Sequence, residues 1–573
     1  MSDVTPNFLT GTDRLPDGPT RAAGAHAAWH GPIRISEGRA MRNLQRRLAV
    51  LAAALVAVVA AGCGGGDGGD GSLGGGSAQA ASGEPQPGGT ARIIVPNEPA
   101  NLDPATFNNS YTTAGLLGNA LFGQLLRNDP ETGEIQPGIA ESLTTEDNTT
   151  WTLKLRPGVK FTDGTPFDAA AVKYNWDRLK DPAVGAGTSA SAAAAIASTT
   201  VVDDLTLTFT LARPSAHFGQ DIVGTAGGMN FIASPAALEK GREEFNRNPV
   251  GAGPFVMDSW TRQSQMVLKK NPDYYDAPRP YLDELIVRVD SDMGRRLQSI
   301  QAGEADLVIG TNDDHAFRAE QAGLVVTRQP LNGGNMLIFN MTKPPFDDLR
   351  ARQAIHYAID RQLVNDAAYG GRATVPETLM VEGTPFHEPD LKFPTTDREK
   401  AQQLFDELAA EGKPVEFTII IVQAADGAKV AQSFQAQLEA FENVKVHIET
   451  LDISTWFTRL ATGDFGASIY GVISVDPEPG LSRLVRSDSP TNYMKLNDPE
   501  IDAAIDRAAV TTDTAERKAA YRTVQQRLIE QLPFISYVRP TASLISTPKV
   551  GGIEVYGQLS PRVDGLWLDR GGD

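Results

Sequence analysis

Val415-Glu-Phe-Thr-Ile-Ile-Ile-Val422 is a short run dominated by β-branched and apolar residues, which suits a buried strand. Gly427 to Phe441 follows with Phe434, Leu438 and Phe441 at helical spacing. Val444, Val446 and Ile448 then alternate with polar residues as a second strand, Ser454 to Ala461 is a helix, and Gly466 to Ile473 is a third strand. Strand, helix, strand, helix, strand implies a parallel sheet with right-handed crossovers. Ligands of such sheets bind beyond the carboxyl ends of the strands. The loop Tyr470 to Gly480 is therefore a cleft candidate on geometry alone.

The amino-terminal half has the same mixed character. Thr90 to Pro96 is a short strand ended by the turn Asn101-Leu-Asp-Pro104. Ala114 to Leu126 carries Leu117, Leu121, Phe122 and Leu125 at helical spacing. Trp151, Leu153 and Leu155 alternate with polar residues until Pro157-Gly158 stops the strand. Asp168 then caps a helix with Val172, Trp176 and Leu179 on one face, closed by Asp181-Pro182.

Met41-Arg-Asn-Leu-Gln-Arg-Arg47 is basic, and the fourteen residues Leu48 to Ala61 are apolar. A membrane span needs ~20 apolar residues, so this reads as an export signal over 41–62. Ala60-Ala-Gly-Cys63 resembles the lipobox of bacterial lipoproteins, with Ala60 where leucine is usual. That resemblance implies lipidation of Cys63, the only cysteine in the chain. Residues 1–40 would precede a signal that normally opens a chain, so translation is expected to begin at Met41. Gly64 to Gly89 is Gly-, Ser- and Ala-rich and reads, with Cys63, as a flexible tether reaching roughly 25 to 30 Å. About 485 residues remain, enough for two or three lobes.

Charge and motifs exclude other classes. The whole chain carries 52 Lys/Arg and 71 Asp/Glu, a formal charge of −19; losing the seven basic and four acidic residues before Cys63 takes it to −22. No basic cluster stands out, so nucleic acid is not an expected partner. No Gly-x-Ser-x-Gly elbow, phosphate loop or His-Glu-x-x-His is present. Asp313-Asp314-His315 reads as a solvated polar turn rather than a metal site, and His447 as an exposed partner on its strand. No cofactor or metal is expected, and no enzyme.

Asn101–Pro104, Gln136–Ser142, Trp151–Asp168 and Val172–Asp177 resemble, in order, motifs of the solute-binding proteins of ABC importers in the peptide, dipeptide and nickel family (family 5). Asn248–Phe255, Asn271–Tyr275, Gln301–Asp306 and Phe339–Arg361 continue the likeness. The resemblance implies an α/β, two-lobed periplasmic-binding-protein-like fold of the large three-subdomain type, with a hinge and an interlobe cleft. It places an N-terminal lobe at 90–335, with an inserted subdomain at about 127–247, a second lobe at 336–530 and a returning segment at 531–573. The expected partners are a small organic or peptide-like solute, an ABC-transporter permease and, through the lipid, the outer face of the cytoplasmic membrane; the chain is expected to act as a monomer. Envelope interaction protein and secreted hydrolase are the alternatives.

Peptide-binding members carry Gly-Trp-x-x-Asp after the third strand, the aspartate holding the peptide's amino group. Here the matching run is Gly471-Val-Ile-Ser-Val475, so both signature residues are apolar. Enclosing an ammonium without a partner costs several kcal/mol. Asp476 could substitute after a one-residue shift; otherwise the loop favours an uncharged or apolar part of a solute. The resemblance also nominates Asn108, Asn109 and Tyr111 before the first lobe's helix, Asn335 and Met336 at the hinge beside Gly333-Gly334, and Trp456, Tyr470, Val472 and Val475 around the loop.

Overall fold

Alternating buried and exposed positions build three main sheets in the computed structural model, which describes residues 78–571 apart from 131, 225, 312, 330, 424 and 540. Cys63, the export signal and the residues before it lie outside the described part. The tether expected to run to Gly89 ends earlier: Ala81 bridges Gly551, and the Gly88 amide donates to the Tyr281 carbonyl at 2.7 Å.

The first lobe centres on a seven-stranded sheet in which Thr90–Val95 is flanked by Leu307–Gly310 and Glu284–Val289, both parallel to it. A four-stranded antiparallel sheet, containing Thr150–Leu155 and Thr206–Leu211, forms the inserted layer. Its Trp151, Leu153 and Leu155 pack with Val172 and Trp176 of the helix Ala169–Arg178 and with Leu179 at its carboxyl end; Asp168 caps the helix by accepting from the Ala171 amide. Burying such side chains contributes about 1.5–3 kcal/mol each relative to exposure.

The second lobe is a five-stranded sheet ordered Val444–Leu451, Val415–Val422, Ala467–Ser474, Asn332–Phe339, Phe534–Val538. The first three strands are parallel. The last two are antiparallel to their neighbours, so the sheet is mixed rather than purely parallel. The antiparallel pair is formed by the two passages of the chain between lobes. The outward passage enters the sheet at Asn332 instead of Met336. The return strand still belongs to the second lobe up to Val538, and the chain rejoins the first lobe's sheet at Ser543. Backbone hydrogen bonding to the neighbouring strands explains both shifts: each passage forms a full strand of the second lobe's sheet.

Asp313 and Asp314 do not form a turn; they open the helix Asp313–Gln321, where carboxylates favour the positive end of the helix dipole. His447 is half exposed and meets Glu416 at 3.0 Å. No group of three or more metal-capable side chains occurs among the described residues.

His356 joins the return strand to the second lobe. It lies on the helix Leu349–Ala358, is 5% exposed, and its Nε2 donates to the Phe534 carbonyl at 3.1 Å. Burial, reinforced by the positive charge of Arg361, pushes its pKa from 6.5 down to about 3. The unfolded chain therefore takes a proton near pH 6.5 that the native chain refuses until about pH 3, so this contribution is complete above pH 6.5 and is lost as pH falls. Urea unfolding at pH 7 and pH 5 should show a drop of about 2 kcal/mol from this group. In His356→Gln the difference between the two pH values should shrink by that amount; an unchanged difference would show that His356 is not buried neutral.

Candidate functional site

The carboxyl end of Ala467–Ser474 carries the loop that faces the first lobe. Because strand side chains alternate, Tyr470 and Val472 share one face with Met336, while Asn335, opposite Gly471, lies on the other. Tyr470 and Val472 line a cavity of about 240 Å³ between the lobes. Its opposite wall comes from the first lobe: Thr188 and Ser191 of the helix Thr188–Ala194, and Gln558 of the carboxyl-terminal segment. Val475 and Asp476 border a second cavity of about 220 Å³, lined also by Pro130, Thr132 and Gly133 of the first lobe and by Glu382 and Phe386 of the second.

Aromatic packing fixes Tyr470. Its ring stacks on Trp456 at 5.9 Å and meets Tyr493 edge-on at 5.6 Å. Trp456 is 6% exposed, and its indole N–H donates to Ser468 Oγ at 3.0 Å. It is thus a core residue behind Tyr470 rather than a wall of the cavity. Burial, and the neighbouring Tyr493, raise the Tyr470 pKa, so the phenol stays neutral and can donate or accept a hydrogen bond.

The loop's carboxylates are already engaged. Asp476 caps the helix Pro477–Val485 by accepting from the Glu478 amide, and both its oxygens receive Arg517, at 2.7 and 3.0 Å. Its nomination as a substitute ammonium anchor is therefore corrected: a guanidinium from the helix Thr514–Gln531 occupies the carboxylate. Glu478 accepts from Tyr521 at 2.7 Å and from Ser482. Asp221, on the helix Phe218–Val223 of the first lobe, pairs with Arg483 of the second. Burial raises the Asp221 carboxyl to about 6 against the opposing pull of Arg483, and Glu478 raises it further.

Three other nominated residues are not cavity walls. Met336 is 1% exposed within the core that also holds Trp456 and Leu460. Asn335 is near Tyr369, to whose hydroxyl its Nδ2 donates at 3.4 Å. Asn109 is fully buried and its Nδ2 donates to the Val223 carbonyl, tying two first-lobe segments. Asn108 is exposed and accepts from Thr188 Oγ1 at 3.4 Å, beside the cavity wall. Tyr111 is half-buried, its amide donating to the Gln558 carbonyl at 2.9 Å, which steadies the cavity-lining glutamine.

Sequence reasoning missed Gln558, Arg483, Thr188 and Ser191. Gln558 Nε2 donates to the Ile473 carbonyl at 2.7 Å, a direct tie from the first lobe to the loop. Further ties close the rim: the Ala216 amide to the Ala509 carbonyl at 2.6 Å, Asn148 Nδ2 to the Val510 carbonyl at 2.8 Å, and Arg213 to Asp488 at 2.5 Å. On another side Arg372 meets Asp314 at 2.9 Å. The lobes are thus in contact around the cavities. Nothing local marks these residues, because each partner lies far away in sequence.

Comparison with known proteins agrees with this architecture. A family model described as "Bacterial extracellular solute-binding proteins, family 5 Middle" matches residues 134–492. The glutathione-binding protein GsiB of Escherichia coli K12 is 29% identical over 462 residues, covering 78% of this chain and 88% of that protein. Among solved structures, AgaA from A. tumefaciens R10 in complex with agropinic acid superposes with a TM-score of 0.73 at 25% identity, covering 84% of this chain and 99% of that one. DppA from Helicobacter pylori in complex with the peptide STSA gives 0.72 at 24%, covering 85% and 99%, and supports the fold. The family match spans more than half of the chain, including the inserted layer, the crossing strand and the cavity loop; this chain belongs to family 5 of the bacterial extracellular solute-binding proteins.

Proposed function

We propose that the interlobe cavity takes a small organic or peptide-like solute, by closure of the lobes, for delivery to an ABC-transporter permease. The observation that carries this reading is the cavity wall of Tyr470, Val472 and Gln558, with protein ties across the rim. Binding by closure suits such a site: an apolar and aromatic surface with few polar groups holds a ligand that the second lobe then covers. The solute presents a neutral or carboxylate-bearing part to the loop, because Asp476, Glu478 and Asp221 are each engaged by protein donors. Relatives described with glutathione, agropinic acid and a peptide bring peptide-like and acidic compounds into that class. No catalytic step and no cofactor enters this reading. Lipidation at Cys63 would hold the body at the outer face of the membrane.

Three outcomes test it. Mass spectrometry of small molecules released by denaturing protein from its own host should reveal one enriched compound. Added back at about 100 times its dissociation constant, it should stabilise the fold by ~2.7 kcal/mol. Tyr470→Ala and Val472→Asp should each weaken its binding at least about tenfold, which is ~1.4 kcal/mol. An empty cavity with no stabilisation by peptides or organic acids would sink the solute reading.

Arg517→Met should destabilise the chain by about 3 kcal/mol, since it strands a largely buried carboxylate. Most of that loss should return in Arg517→Met with Asp476→Leu, read by urea unfolding. Full loss in the double variant would mean that Arg517 acts through packing.

Cys63→Ser in the full chain should move the protein from the membrane to the soluble fraction after cell lysis. Unchanged membrane association would exclude the lipid anchor.

A further inference from the structure

A further cavity, about 600 Å³, shares no lining residue with the interlobe cavities. It lies wholly within the first lobe, and three arginines face it: Arg127, Arg156 and Arg279, with Tyr275, Glu141 and Asp276.

The nearby carboxylates are already engaged. Asp276 pairs with Arg279 at 3.3 Å, and Glu141 with Lys154 at 3.7 Å. Glu554 and Asp564 both pair with Arg562, the latter at 2.7 Å. Among the described residues the Arg127 guanidinium has no hydrogen bond or ion pair, only longer-range attraction from Tyr275, Asp564 and Glu554. Arg156 donates through Nε to the Gly138 carbonyl at 2.6 Å, and among the described residues its two terminal amino groups have no hydrogen bond or ion pair. Both side chains are half-buried. Burial, followed by repulsion from Arg562, lowers the Arg127 pKa, the mark of a cation short of a counter-ion. A planar fork of N–H donors matches phosphate and carboxylate geometry.

We propose that this cavity binds a small oxyanion, phosphate or carboxylate in kind, between Arg127 and Arg156. The ligand is either a free anion or the phosphate of a headgroup, and the two share the same recognising chemistry. The cavity is open enough to admit either and is independent of the solute cleft.

Titration calorimetry on the full chain at constant ionic strength tests the site with inorganic phosphate, citrate and glycerol 3-phosphate. At least one should bind with a dissociation constant below about 1 mM. Tighter binding of glycerol 3-phosphate than of phosphate would identify a headgroup as the source; the reverse order would identify a free anion. Arg127→Met and Arg156→Met should each weaken binding at least about tenfold, while the cleft variant Arg483→Met leaves it unchanged. Because either arginine variant could disturb folding, hydrogen exchange of the unaltered protein supplies a second readout. Phosphate should slow exchange around Arg127–Gln136 and Tyr275–Arg279. No heat from any of the three at about 10 mM, loss of binding in Arg483→Met, or protection confined to Tyr470–Leu484 would overturn the proposal.

Discussion

The cleft depends on two passages of chain being held side by side, and Arg539 clamps them. Its guanidinium donates to the carbonyls of Gly333 at 2.5 Å, Thr378 at 2.6 Å, Leu379 at 2.7 Å and Met380 at 3.2 Å. Burial lowers its pKa to about 10, still leaving it charged at neutral pH. Four carbonyls thus replace the water it lost. The clamp joins the outward passage at Gly333, the return passage at Arg539 and the segment between them. Two glycines make the approach possible. A Cβ on Gly333 would stand 2.1 Å from the Val472 carbonyl oxygen, and one on Gly334 would stand 2.5 Å from Ser536 Oγ. Gly333 also has φ of +93°, which side-chain-bearing residues rarely adopt.

From that clamp the site follows. Once Asn332–Phe339 pairs with Ala467–Ser474, the period of two puts Tyr470 and Val472 on the face shared with Met336. Tyr470 lines the cavity, while its cross-strand partner Met336 is covered by the core. The same alternation sends Asn335 toward Tyr369. Neither a hinge position nor the shared face is therefore a guarantee of a binding position; what covers the side chain decides.

Local pattern was legible where the physics is local. The three parallel strands of the second lobe, the Asp168 cap and the inward Trp176 are all written in residue spacing. Motif order carried the two-lobed family fold. What could not be read were pairings between distant residues. Asp476 looks like a free acid in sequence, yet Arg517, forty-one positions later, takes both its oxygens. Arg483 and Asp221 meet across 262 positions, and Gln558 reaches Ile473 across 85. Boundaries slipped for a related reason. A strand extends as far as its neighbour offers hydrogen bonds, so Asn332 and Phe534–Val538 join the second lobe although composition alone does not mark them.

The contacts across the rim also bear on how the lobes would work. Most are single hydrogen bonds, each contributing about 0.5–1.5 kcal/mol net. Arg213 with Asp488 is exposed at 62% and 49%, a class of pair worth about 0–1 kcal/mol. Among the described ion pairs across the rim Arg483 with Asp221 is the most buried, and there the desolvation of the carboxyl opposes the attraction. Closure by the protein alone is thus weakly favoured at most, against the ordering of two lobes. On the proposed reading, a ligand touching Tyr470 and Val472 on one side and Thr188 and Ser191 on the other would add contacts available only with the lobes together. Those differential contacts shift the balance toward closure. Weak ties are what that proposal requires: a rim strong enough to close unaided would hold the cleft shut without a solute and slow its release.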